Sequence, residues 1–109
     1  MFAGYLDSLA LADRLLGDLR EEMCRSGVWD KTLLLISSDH PYRNSRHIDG
    51  KSDPRVPWLV KLPYQKNGME FGQPVETVAS RSVIEAVLGG RIRDPQALAK
   101  HLESWKPGR

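Results

Sequence analysis

Cysteine is nearly missing: Cys24 stands alone in 109 residues. A single thiol excludes an internal disulfide, and no second Cys or His stands near it at metal-ligand spacing. It falls late in a helical pattern, where a packed or half-exposed thiol is the ordinary role. Long hydrophobic runs are also missing; nothing approaches the roughly 20 apolar residues of a membrane-spanning helix. The amino terminus, Met1-Phe2-Ala3-Gly4-Tyr5, has neither the basic start nor the apolar stretch of an export signal. No Lys/Arg run occurs, because 16 basic residues are mixed with 14 acidic ones for a net charge of +2. Three Trp, three Tyr and two Phe are scattered, without the aromatic–basic interleaving of a nucleic-acid face. Neither a membrane span nor a nucleic-acid partner is expected. Two catalytic signatures are absent as well. No Gly-x-Ser-x-Gly elbow surrounds Ser37 or Ser38, which argues against a serine hydrolase. Gly89-Gly90 reads as a helix stop, and no glycine-rich loop follows a strand to cradle phosphate.

What is present is one stretch around which the chain is organised, Thr32-Leu33-Leu34-Leu35-Ile36-Ser37-Ser38-Asp39-His40. An apolar run that ends in two hydroxyls, a carboxylate and an imidazole reads as a buried parallel strand. Such strands deliver polar side chains to the carboxyl edge of an α/β sheet.

Residues from about Leu6 to Arg25 read as an amphipathic helix, with Leu6, Leu9, Leu15, Leu16, Leu19 and Met23 on the 3.6-residue period. Ser26-Gly27 supplies its stop. A helix followed closely by an apolar strand is an α/β unit, so the helix stripe is expected to pack on the sheet. After His40 comes a polar stretch, Pro41 to Pro54, of the kind that collects binding residues at a sheet edge. Arg55 to Leu62 reads as a second strand, with Pro57 tolerated near its start. A short helix follows from about Ser80, closed by Gly89-Gly90. Asp94-Pro95, an N-cap followed by proline at the first helical position, opens a last helix with Leu98, Ala99 and Leu102 on its apolar side. The expected fold class is α/β, a partial parallel-type sheet with flanking helices. Residues 1–63 form its helix–strand–loop–strand core and 64–109 a helical carboxyl-terminal part. Two strands make a thin sheet, so the chain is expected to be part of a larger one.

Asp39 and His40 are the sharpest candidates. Imidazole nitrogen and carboxylate oxygen ligate zinc or manganese, a carboxylate also suits calcium, and the pair equally suits acid–base chemistry. The plain alternative is a capping Asp beside an exposed His, since a metal wants about four ligands. His47 lies in the polar loop within reach of such a site, whereas His101 reads as a solvated side chain of the last helix. Lys51, Arg55, Arg43 and Arg46 could hold an anion through charge-assisted hydrogen bonds, or simply be solvated loop charges.

Several motifs now line up in order: Tyr5-x-Asp7, Asp13-x-x-Leu16-Gly17, Gly27-x-Trp29-Asp30-Lys31-Thr32, Ser38-Asp39-His40 and Arg55-Val56-Pro57. This series resembles the later part of the catalytic domain of sulfatases, in the alkaline-phosphatase-like superfamily of metal-dependent sulfo- and phosphohydrolases. The likeness covers about residues 4–63. It implies a fragment of an alkaline-phosphatase-like α/β/α fold, with Asp39 and His40 as ligands of a divalent metal (calcium, zinc or manganese). It also implies Lys51, and His47 beside it, as contacts to a sulfate- or phosphate-ester substrate. Pro41 stands where the family usually has glycine, and the loop from Asp39 to Arg55 is short for the family. The family's nucleophile and first carboxylate ligands come from an amino-terminal part that has no counterpart here, and Cys24 lacks the Cys/Ser-x-Pro-x-Arg signature. The resemblance therefore implies a fragment of a hydrolase or transferase that is inactive alone. The alternative is a non-catalytic α/β interaction module.

Overall fold

The computed structural model describes residues 2–41, Gly50 and residues 55–108. The chain divides into two compact units: Met1–Trp29 with Ser38–Pro57, and Asp30–Ser37 with Trp58–Arg109.

The first unit is dominated by helix α1, Phe2–Arg25. It starts four residues before the expected Leu6, because nothing in Phe2-Ala3-Gly4-Tyr5 breaks a helix. A glycine inside one costs only about 1 kcal/mol relative to alanine. The stop is the expected one. Gly27 takes φ +78°, its N–H bonds the Cys24 carbonyl (3.2 Å) and the Val28 N–H reaches back to the Met23 carbonyl (3.0 Å). This paired closure satisfies carbonyls that a helix end otherwise leaves open, and it favours a residue without Cβ at position 27. Arg25 pairs with Glu22 in the last turn, and the Arg20 guanidinium lies 5.4 Å from the Trp29 ring centre. The apolar stripe is not buried: Leu6, Leu9, Leu11, Leu15, Leu16 and Leu19 are all at least 37% exposed.

The second unit holds the chain's only buried core among the described residues. Strands β1 (Leu34–Ser37) and β2 (Trp58–Lys61) form a two-stranded sheet. They run antiparallel, with Leu34 opposite Lys61, Leu35 opposite Val60, Ile36 opposite Leu59 and Ser37 opposite Trp58. This overturns the expected parallel-type sheet, and with it the fragment of an α/β/α fold that the resemblance implies. The reason is in the connection. A parallel return needs a crossover, usually a helix, and residues 41–54 carry no helical apolar period. The apolar run suggested a strand buried on both faces, but Leu34, Leu35 and Ile36 are only half-buried and none of them joins the core. Leu33, Trp58 and Val60 face the core, while Leu59 on the opposite face is 56% exposed.

Helices α2 (Ala79–Leu88) and α3 (Pro95–Ser104) cover the packed face. On α2 the residues Ala79, Val83, Ala86 and Val87 are buried, at spacings of four, three and one. Val83, Ala86 and Val87 pack with Leu62 and Ile92, and with Leu98 and Leu102 of α3 at the margin. Fully burying a side chain such as Leu62 or Val83 contributes about 1.5–3 kcal/mol, which a two-stranded sheet needs because it is marginal alone. Trp58 ties β2 to α2 by donating its indole N–H to Ser80 Oγ at 2.9 Å. Lys61 Nζ donates to the Thr32 carbonyl (2.9 Å), closing the chain ahead of β1. Both helix punctuations match expectation. Gly90 at φ +78° lets its own N–H reach the Val87 carbonyl and that of Arg91 reach Ala86. Asp94, extended at φ −147°, accepts the Ala97 N–H on Oδ1 at 2.7 Å, with Pro95 opening the helix.

Candidate functional site at the end of strand β1

Chain order delivers Ser38, Asp39 and His40 directly after β1. Ser38 turns the backbone by donating its hydroxyl to the His40 carbonyl at 2.8 Å, the local bonding expected of a hydroxyl at a strand end. His40 Nδ1 lies 2.9 Å from the Pro41 carbonyl. A carbonyl only accepts, so Nδ1 carries a hydrogen in this arrangement and Nε2 is the nitrogen on the Asp39 side. Nε2 stands 3.7 Å from Asp39 Oδ1, a charge contact only when the ring is protonated. The side chains are 53% (His40) and 88% (Asp39) exposed, so neither carboxylate nor imidazole is desolvated.

This geometry corrects the metal expectation. Among the described residues, no group of three or more His, Cys, Asp or Glu is placed to hold a metal ion. Calcium, zinc or manganese at Asp39 and His40 therefore has no ligand set here, and metal-binding cannot be read from these two side chains. The physical reason is ligand count. Two adjacent, solvated groups supply half of a tetrahedral site and less of the six to eight oxygens that calcium takes. His47 and Lys51, expected to contact an ester anion, lie outside the described residues, as do Arg43 and Arg46.

Two further side chains behave differently from expectation. Cys24 is a free, exposed thiol. His101 is partly buried rather than fully solvated, with Nε2 2.8 Å from Ser82 Oγ, joining α3 to α2. The signal was readable, since His101 lies three residues after Leu98 and four after Ala97, on the same arc as the apolar positions. A shallow open cleft of about 130 Å³ lies among Pro74, Glu76, Ala79, Leu102 and Trp105. Glu76 is its only titratable lining residue, so it lacks the second group that acid–base chemistry requires. No helix among the described residues is long and apolar enough to cross a membrane.

Comparisons with protein families, with curated proteins and with solved structures find no match to this chain.

Proposed function

We propose that this chain is a segment of a hydrolase acting on sulfate or phosphate esters, of the sulfatase-like kind, and is catalytically silent alone. Its contribution is the Ser38-Asp39-His40 turn, which presents an imidazole beside a carboxylate for proton transfer at an ester. Lys51 and His47 serve as contacts to the ester anion. The ordered motifs from Tyr5 to Pro57 support the sulfatase-like class, and no metal is assigned to this chain's own residues.

One structural observation carries the reading that the chain is a part rather than a whole. Asp39 and His40 stand exposed after β1, while apolar side chains are exposed in both units, from Leu6, Leu9 and Leu16 on α1 to Leu59 on β2. Apolar faces this exposed are what a chain leaves when the surface that covers them belongs to another polypeptide segment.

The exposed leucines equally favour a second reading, a non-catalytic interaction module whose helix α1 docks on a partner. Turnover separates the two. The isolated chain, assayed with 4-nitrophenyl sulfate and 4-nitrophenyl phosphate, is expected to give no rate above buffer. A chimaera in which this chain replaces the corresponding segment of an active aryl sulfatase is expected to hydrolyse one of the two esters, and to lose that activity in His40→Ala. A chimaera without turnover, or with turnover indifferent to Asp39→Ala and His40→Ala, leaves the interaction module as the reading.

A further inference from the structure

We draw no further inference here: the strongest candidate, the exposed leucine face of helix α1 from Leu6 to Leu19, carries nothing because nothing in the structure shows what covers it.

Discussion

Ser82 Oγ lies 2.8 Å from Nε2 of His101, so a hydroxyl on the middle of α2 holds an imidazole on the last turn of α3. Leu98 and Leu102 of α3 pack at the margin of the core to which α2 contributes, and this hydrogen bond adds a polar tie between the two helices. A hydrogen bond of this kind contributes about 0.5–1.5 kcal/mol net. Ser82→Ala and His101→Ala are each expected to lower stability by about 1 kcal/mol in urea denaturation. The double variant is expected to cost less than the two single losses added together. Strictly additive losses would show that the contact is incidental to stability.

Two glycines make opposite predictions from the same chemistry. Gly17 sits inside α1 with open space around the position a Cβ would take, so Gly17→Ala is expected to stabilise the helix by about 1 kcal/mol. Gly27 also has open space, but its φ of +78° strains any L side chain, and Gly27→Ala is expected to cost about 1–2 kcal/mol. Thermal melts followed by circular dichroism at 222 nm check both signs. If Gly27→Ala melted with the parent protein, the left-handed closure of α1 would not form in solution.

The core is small enough for one truncation to matter. Leu62 is 1% exposed and Val83 is fully buried, both within the cluster that joins β2, α2 and α3. Leu62→Ala is expected to cost about 2–5 kcal/mol, a large share of what a domain of this size has available. Near-ultraviolet circular dichroism reports the outcome, because Trp58 packs against this cluster. Its band should collapse in Leu62→Ala while the helical signal of α1 persists in part.

Asp94 tests the start of α3. Its carboxylate accepts the Ala97 N–H at 2.7 Å, and Asp94→Ala is expected to lose about 1 kcal/mol in urea denaturation. Asp94→Asn keeps the acceptor oxygen and is expected to restore most of that loss. Failure of asparagine to do better than alanine would mean that the cap geometry is not what holds the helix end.

Asp39 and His40 should be dispensable for folding. Both are exposed and neither bridges two elements, so Asp39→Ala and His40→Ala are expected to shift stability by no more than about 0.5 kcal/mol. Zinc or calcium added to the isolated chain is expected to leave Tm unchanged, since a ligand that binds only the folded form would raise it. A saturable rise in Tm, lost in His40→Ala, would restore the metal reading that the geometry removes.

The local punctuation of this chain was legible without coordinates. Gly27, Gly90 and the Asp94-Pro95 pair mark their helix ends by mechanisms that need only neighbouring backbone: a left-handed residue, a side-chain acceptor, a fixed φ. The α2 and α3 boundaries follow directly, and β1 and β2 fall inside the expected strands though trimmed at their ends. The surface role expected of an isolated histidine fails at His101, because its helical position places it with Ala97 and Leu98. The strand direction differs from the expected one for a deeper reason. An all-apolar tetrad such as Leu33–Ile36 states that a strand is at least half buried, but not which neighbour buries it.

By itself, then, the sequence determined where α1 and α2 stop and where α3 starts, because those choices are settled within a few residues of backbone. It also determined that Asp39 and His40 would stand together after a strand, because they are adjacent in the chain. Only the tertiary structure decided that β2 pairs antiparallel with β1, that Ser82 meets His101, and that no third ligand joins Asp39 and His40 among the described residues. Those are encounters between residues distant in sequence, and the pattern along one strand or one helix carries no record of its partner.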